Sequence, residues 1–363
     1  MLCRLPVDAA NWPEFRGPSG QGLVSSGPLP VAFGESENLA WKTAIEGRGW
    51  STPVIWDDQI WMTTATDEGH SLWAVCVDRR TGTVEHEVLV FAPDEPIMIN
   101  KTNSYASPSP VVEPGRVYVH FGTIGTAAID TASGQIVWKN EQLRIDHKEG
   151  PGSSPVLYDD LLIVHCDGMD VQYVAALDKR TGELAWKTPR TGEMDPDPDL
   201  RKAYSTPLVI TVDGEDQVAC VGADHLMAYR PHDGSEIWRV DYKGFSNVPR
   251  PVFDGSTLYF CTGFMKSQLW AVRAGGTENV TDTHVAWRET QQIPRQSSPI
   301  LVGRMIFRVS DGGVASCFDA DTGKLHWRER LGGNYSASPI HADGRLYFAS
   351  EQGVISVVAA KPQ

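Results

Sequence analysis

The sequence predicts an all-β fold, a seven-bladed β-propeller whose blades are four-stranded sheets. Two observations predict it: a unit of about 45 residues recurs along the chain, and the composition favours short strands joined by tight turns. The 363 residues include 12 Trp, 34 Gly and 24 Pro, more ring-bearing and turn-forming residues than a helix bundle uses. The hydrophobic fraction of 41% suits a globular protein with a real core, and no run of apolar residues is long enough to predict a membrane-spanning helix.

Each unit opens with a proline and an apolar run, which predict the first strand. Successive prolines of this kind lie 40 to 57 residues apart. The seven prolines are Pro53, Pro110, Pro155, Pro207, Pro251, Pro299 and Pro339. A polar turn follows each one, and then an alternating strand, as in residues 343–348 (Asp-Gly-Arg-Leu-Tyr-Phe). A third apolar run comes next.

A nine-residue signature then predicts a hairpin between the third and fourth strands. Its clearest copies are residues 178–186 and 319–327, each with Asp first, Gly fifth and Trp last. Asp bonds the backbone of its own turn, and Gly supplies the positive φ that such turns need. Other copies are imperfect: residues 230–238 lack the Asp, the copy before Trp287 is expanded, and His86 stands where Trp is expected. Four strands in about 45 residues is the period of a propeller blade, and no helical rhythm competes with it.

The seventh unit ends before any hairpin or Trp, whereas residues 38–42 (Asn-Leu-Ala-Trp-Lys) form an unpaired match near the N-terminus. We expect this segment to supply the fourth strand of the last blade and so to remove an open sheet edge. Residues 39–363 are then a single propeller domain. Residues 1–38 become an extension packed on the outside of the propeller through Trp12, Phe15 and Arg16.

The cysteines and the N-terminus indicate little about location. The six cysteines are scattered, without a Cys-x-x-Cys pair, so we expect buried free thiols rather than a zinc site or a disulfide framework. The first eleven residues contain no apolar signal-peptide core. Either the protein is cytoplasmic, or the true start lies upstream and residues 7–10 are the remnant of a cleavage region.

The Asp-x-x-Thr-Gly-x-x-x-Trp unit and the Ser-Ser-Pro-Val opening resemble the pyrroloquinoline-quinone-type propeller repeat. This repeat occurs in quinoprotein dehydrogenases and in BamB, the outer-membrane-assembly lipoprotein, and the resemblance covers about residues 39–360. Residues 103–107, 281–287 and 333–339 further resemble BamB-like propellers abundant in planctomycete bacteria. The resemblance implies that the repeated Trp docks between neighbouring blades. The positions concerned are Trp41, Trp138, Trp186, Trp238, Trp287 and Trp327.

The same resemblance leaves an enzyme and a binding protein as alternatives. A resemblance to the quinoprotein dehydrogenases would imply the residues that those enzymes typically carry: a vicinal Cys-Cys disulfide over the quinone, a Trp beneath it and a Glu-Asn-Asp set around calcium. This chain has no Cys-Cys pair, and no residues can be assigned to the calcium set. Hydrolase, zinc-protease and phosphate-loop motifs do not occur either. We therefore predict no catalytic residue, metal ligand or cofactor, with a quinone- and calcium-dependent oxidoreductase or a glycan-directed enzyme as the alternative.

Residues just before each first strand are expected at the mouth of the central channel, and these predict a binding site for a protein partner or a small anionic or sugar-like ligand. Basic side chains approach the mouth in six of the seven units. The predicted site comprises Arg48, Trp50, Lys101, Asn103, Tyr105, Lys148, Glu149, Lys202, Tyr204, Asn247, Arg250, Arg295, Gln296, Asn334 and Tyr335. A structural alternative is open, because acidic residues of neighbouring loops could neutralise these bases in ion pairs. Those residues are Asp167, Asp170, Asp224, Asp311 and Glu351.

The resulting prediction is a non-catalytic binding or scaffolding propeller, extracytoplasmic by analogy with the family and monomeric. The net charge of −14 excludes a wholesale polyanion-binding surface, although a local basic patch could survive inside an acidic chain, and we predict no nucleic-acid partner.

Overall fold

Seven antiparallel sheets follow one another along the chain in a computed structural model, which describes residues 11–24, 27 and 29–363. Blade 1 comprises β1 (Val54–Trp56), β2 (Gln59–Ala65), β3 (Leu72–Asp78) and β4 (Val84–Phe91). Blade 2 comprises β5 (Val111–Glu113), β6 (Arg116–His120), β7 (Thr126–Asp130) and β8 (Ile136–Asn140). Blade 3 comprises β9 (Val156–Tyr158), β10 (Leu161–Asp167), β11 (Gln172–Asp178) and β12 (Leu184–Pro189). Each strand pairs with the next in sequence, so each blade is an antiparallel meander. The predicted seven-bladed propeller is therefore confirmed.

Blades 4 to 7 repeat this order with small departures. Blade 4 comprises β13 (Leu208–Val212), β14 (Glu215–Val221), β15 (His225–Tyr229) and β16 (Glu236–Asp241), and blade 5 comprises β17 (Val252–Phe253), β18 (Thr257–Cys261), β19 (Leu269–Arg273) and β21 (Val285–Glu289). Blade 6 comprises β22 (Ile300–Val302), β23 (Met305–Val309), β24 (Val314–Asp319) and β25 (Leu325–Arg330). Blade 7 comprises β26 (Ile340–Ala342), β27 (Arg345–Ala349) and β28 (Ile355–Ala359). The expanded hairpin before Trp287 holds the two-residue strand β20 (Glu278–Asn279), which pairs in parallel with β16, and the one-turn helix α1 (Thr281–His284).

The Asp-Gly hairpins form as the signature predicts. In blade 3, Asp178 Oδ1 accepts hydrogen bonds from the backbone N–H of Arg180 at 2.8 Å and of Thr181 at 3.0 Å, and Gly182 has a φ of 76°. These bonds lower the pKa of the Asp178 carboxyl. The register shifts by one residue just beyond the hairpin, between Ala176 and Leu177, a bulge that increases the twist of the blade.

The repeated Trp contacts the hairpin of the next blade in blades 2, 3 and 5, whereas the Trp238 indole donates to Gln217 within its own blade 4. The indole Nε1 of Trp138 donates to Lys179 O at 3.0 Å, and a side chain at Gly182 would come within 2.5 Å of the Trp138 ring. The same donation links Trp186 to Pro231 O and Trp287 to Ala320 O. The hairpin glycine therefore has two reasons to be glycine, its positive φ and the ring packed on it.

The predicted fourth strand of the last blade is not confirmed, because the last sheet consists of β26, β27 and β28 alone. Residues 38–42 form no strand; the chain before them bridges back on itself between Gly34 and Glu37. The Trp41 side chain nevertheless donates to Arg79 O of blade 1 at 2.9 Å. Its indole thus makes the inter-blade contact of a fourth-strand Trp, although its main chain is not paired with β28.

The core consists of apolar clusters within and between neighbouring blades. The five cysteines among the described residues are buried free thiols, as expected, and Cys3 and residues 7–10 lie outside the described part. No helix in the described ranges is long and apolar enough to cross a membrane.

Candidate functional site

Neighbouring units meet at the predicted channel mouth through a chain of hydroxyl groups. In five of the seven units, the residue before the anchor proline donates its backbone N–H to the hydroxyl at the same position of the next blade. The five links run from Thr52 to Ser109, Ser109 to Ser154, Ser154 to Thr206, Arg250 to Ser298 and Ser298 to Ser338, at 2.9 to 3.1 Å. We call this the hydroxyl ring. Ser or Thr precedes the proline in six of the seven units, and five of these hydroxyls accept such a bond.

Two of the predicted basic residues share one carboxylate. Lys148 Nζ lies 2.6 Å from Asp199 Oδ1, and the buried Lys202 ammonium bonds the same oxygen. Hydrogen bonds from Lys148 and Lys202 lower the pKa of the Asp199 carboxyl. Across the mouth, Arg295 is paired with Asp311. The structural alternative of ion pairs therefore applies to these three bases, and of the acidic residues predicted for it, Asp311 takes that role here.

Arg48 and Trp50 form a cation–π contact within the predicted site. The Arg48 guanidinium lies 5.0 Å from the Trp50 ring centre and donates to Lys101 O at 2.9 Å. Trp50 is 54% exposed although its indole N–H donates to Thr102 O.

Most remaining aromatic and amide positions of the predicted site serve the fold. Tyr105 and Tyr204 are buried and donate to the carbonyls of Ile97 and His147. Tyr335 and Asn247 are buried as well. The structure does not bring these groups together as one exposed surface. Lys101, Gln296 and Asn334 are exposed, whereas Asn103 and Glu149 are half-buried and joined by the bond from Asn103 Nδ2 to Glu149 O.

Sequence reasoning missed a buried ionic cluster in blade 3. Asp167, expected to pair with a mouth base, instead pairs with the buried Arg190 and lies 3.1 Å from His165 Nε2. Burial raises the pKa of the Asp167 carboxyl, but the charge of Arg190 reverses this, and the net direction is downward. Arg190 stands in no motif, so no local signal could have found this pair.

The extension contacts the innermost strands rather than the outside of the ring, which corrects the expected packing. Trp12 pairs with Ile55 of β1 through two main-chain hydrogen bonds of 2.8 Å, and Val112 N–H of β5 donates to Pro13 O. Further along, Val24 N–H donates to His341 O of β26. Because first strands line the central channel of a propeller, we call residues 11–24 the channel segment. Hydrogen bonding to first-strand edges is the physical reason for its position.

Arg250, predicted at the mouth, belongs to this channel. It replaces the hydroxyl-bearing residue of the other units, is 1% exposed, and donates from Nε to Pro207 O at 2.9 Å. Its guanidinium meets Glu14 of the channel segment.

Pyrroloquinoline quinone and calcium do not fit the residues present. The sequence has no vicinal cysteine pair, the described ranges hold no group of three His, Cys, Asp or Glu placed to bind a metal, and the channel contains residues 11–24.

Seven meandering blades around a channel define the class, a seven-bladed β-propeller. The family model of the outer membrane protein assembly factor BamB matches residues 20–168, 99–192, 170–293 and 267–361, and the chain belongs to that family. None of the curated proteins matches the sequence.

Solved structures show the same fold. BamB from Moraxella catarrhalis is similar with a TM-score of 0.65 and 17% identity, over 88% of each chain. A europium-containing methanol dehydrogenase is similar with a TM-score of 0.51 and 12% identity, over 96% of this chain and 89% of its own. These likenesses concern the fold alone.

Proposed function

We propose that this chain is a non-catalytic binding or scaffolding propeller that holds a protein partner on its mouth face outside the cytoplasm. The mouth face is the set of loops that precede first strands or join second to third strands. The match to an assembly-factor family supports a protein partner and an extracytoplasmic location.

The observation that carries this proposal is the distribution of exposed apolar side chains. Seven exposed large apolar side chains lie in mouth-face loops: Trp50, Met98, Val171, Val248, Phe264, Met265 and Val354. In the described residues, the turns that join first to second or third to fourth strands carry none; the other exposed large apolar side chains lie within strands or, at Val31, Phe33 and Leu39, in the segment before β1. Exposed apolar groups clustered in the loops of one face are typical of a protein interface.

The loop of residues 263–266 is the most pronounced part of this face. Met265 is 71% exposed and has a φ of 67°, a conformation uncommon for a residue with a side chain. Phe264 beside it packs edge-on against Phe245, with Arg295 5.2 Å above its ring. The fold thus holds a large apolar side chain in solvent, where a partner can cover it.

Site-specific photo-crosslinking tests the proposal in the cells that produce the protein. A photoreactive residue at Trp50 or Met265 should give one discrete protein adduct, because both positions lie on the mouth face. The same residue at Glu183 or Lys324, exposed in opposite-face hairpins, is the matched control and should give no such adduct. Equal adducts from both faces would contradict the proposal.

Quinone and calcium added to the pure protein provide a second, independent test. We expect no bound-quinone absorbance, no dye reduction and an unchanged melting temperature. A quinone spectrum with dye-reducing activity would overturn the non-catalytic proposal in favour of an oxidoreductase.

A further inference from the structure

A cavity of about 310 Å³ lies within the central channel, between the channel segment and the first strands of blades 2 to 4. Its blade side is apolar and includes Val112, Leu157 and Val209. Its polar end is formed by Glu14 and Arg250. An apolar wall with a few convergent polar groups is the usual composition of a small-molecule site, and this volume is at the lower end of the range.

The ion pair at the polar end is poorly formed. Both terminal nitrogens of Arg250 lie 3.4 Å from the same oxygen, Glu14 Oε1, longer than a charge-assisted hydrogen bond of about 2.7–2.9 Å. Burial raises the pKa of the Glu14 carboxyl, although Arg250 acts in the opposite direction. Arg250 therefore holds its carboxylate loosely and without the bidentate geometry that guanidinium groups favour.

A second buried guanidinium leaves the channel with an excess of positive charge. Arg16 is 3% exposed and donates from Nη2 to the carbonyls of Gln21 at 2.8 Å and Pro299 at 2.9 Å. Its Nε and Nη1 atoms are buried without a hydrogen-bond partner. Burial and the charge of Arg250 lower the pKa of Arg16 to about 9. In the described residues, Glu14 forms an ion pair with Arg250 and Arg16 has no carboxylate partner, and buried charge without a partner is unfavourable.

The sequence around Arg250 is specialised for this arrangement. Arg250 occupies the position where the other six units have Ser or Thr, so blade 5 supplies no hydroxyl to the ring. On the opposite side, a side chain at Gly20 would lie 2.5 Å from Arg250 Nη1. The glycine lets the channel segment approach the guanidinium.

From these observations we propose that the channel cavity binds a small organic carboxylate with an apolar body. Its carboxylate would pair with Arg250 and neutralise the excess charge, and its body would lie on the Val and Leu wall of the first strands. The volume suits a small acid rather than a peptide or a nucleotide. Apart from Arg250, the residues that line this cavity belong to the channel segment and to first strands, not to the mouth-face loops of the proposed partner interface, so either proposal can fail alone.

Isothermal titration of the full chain with hexanoate tests the inference, with hexanol and hexylamine as neutral and cationic analogues of the same body. We expect hexanoate to bind and both analogues to bind at least about tenfold more weakly. Chloride titration tests the alternative that the site holds an adventitious ion only. In that case chloride would compete with hexanoate as well as hexanoate itself binds, because the apolar body of hexanoate would contribute nothing. Equal binding of hexanol, or competition by chloride at matched affinity, would overturn the proposal.

Two substitutions are expected to act in opposite directions. Arg250→Gln should weaken hexanoate binding by about tenfold or more, because the charge partner is lost. Glu14→Gln should strengthen binding severalfold, because the competing carboxylate is removed; a purely structural ion pair would not produce this gain. Arg308→Gln is the matched control, since Arg308 is fully buried without a carboxylate partner and lies outside the cavity.

A cavity-filling variant keeps the test decisive if the Arg250 variant does not fold. Ser19 lines the cavity from the channel segment and is exposed, so Ser19→Phe should abolish hexanoate binding with a native melting temperature. Unchanged binding in this variant would place the ligand elsewhere and contradict the inference.

Discussion

At the scale of single residues, buried neutral histidines beneath the mouth face should make the stability of the fold sensitive to acid. Burial lowers the pKa of His120 to about 3 and that of His147 to about 4. His147 Nε2 accepts a hydrogen bond of 2.9 Å from Thr123 N–H, which requires that nitrogen to be unprotonated. Together with His165 and Tyr204 they surround a cavity of about 10 Å³, the size of one water molecule.

We expect the free energy of unfolding to fall as the pH drops from 6.5 towards about 4. Below pH 6.5, near the pKa of histidine in the unfolded chain, these histidines bind protons in the unfolded state but stay neutral in the folded state. The free energy of unfolding therefore falls by up to about 1.4 kcal/mol per pH unit for each such histidine. Glu14, whose pKa is raised by burial, acts in the opposite direction. Urea unfolding of His147→Gln should show a shallower pH slope than the unsubstituted protein.

His232 provides the control for this slope. Its side chain is 69% exposed in the hairpin between β15 and β16, so His232→Gln should leave the slope unchanged. If His147→Gln and His232→Gln change the slope equally, the acid sensitivity does not arise from the buried cavity.

At the scale of the element, the two adjacent serines of a Ser-Ser-Pro opening are expected to contribute differently to the free energy of unfolding, because only the second takes part in the hydroxyl ring. Ser154 Oγ accepts the buried N–H of Ser109, whereas the adjacent Ser153 Oγ is buried without a partner. Ser298 and Ser297 repeat this difference in blade 6, where Ser298 accepts from Arg250 N–H.

Alanine substitution should therefore separate neighbours of identical chemistry. Ser154→Ala leaves a buried N–H unpaired and should destabilise the fold by about 1–3 kcal/mol. Ser153→Ala removes a hydroxyl with no partner and should be neutral or slightly stabilising. Denaturant unfolding measures both, and similar losses in the two variants would contradict a stabilising role for the ring.

The elements that were predictable from the sequence are those with local, repeated signals. The Asp178 hairpin carries its own turn chemistry within a few residues, so its prediction needed no knowledge of the ring. The ring hydroxyls were visible as Ser-Pro motifs, but their acceptor role joins residues about one blade apart and has no local signature. The strand expected at residues 38–42 matched the fourth-strand pattern in sequence, and Trp41 makes the matching contact with blade 1, yet its main chain is not paired with β28.

Longer-range features of the candidate site were less accessible. Arg250 and Glu14 are separated by 236 residues, and only the departure of Arg250 from the Ser/Thr pattern marked it as special. Of the predicted mouth bases, Arg250 belongs to the channel instead, and charge counting does not reveal which carboxylate each base meets. Lys148 and Lys202 share Asp199, which lies in an acidic loop rather than among the expected partners.

Across the whole molecule, the channel segment connects distant blades through the centre of the ring. Its main chain bonds Ile55 in blade 1 and His341 in blade 7, and Gln21 accepts the N–H of Phe253 in blade 5. The last blade meets the first blade where the ring closes, and the channel segment is bonded to the first strand of each. It therefore holds these two blades together, although the last sheet has only three strands. This contact compensates at the centre for the strand that is not paired at the rim.

Cutting the chain after folding should therefore leave the channel segment in place. Residues 31–40 are exposed, so a protease site introduced at Gly34 can be cleaved in the folded protein. We expect the N-terminal fragment to co-elute with the ring in gel filtration and to separate only in denaturant, because its main-chain bonds and the Arg250–Glu14 pair remain. The same cut in an Arg250→Gln variant should release the fragment faster. Immediate release from the unsubstituted protein, with the ring still folded, would show that the segment does not hold the first and last blades together.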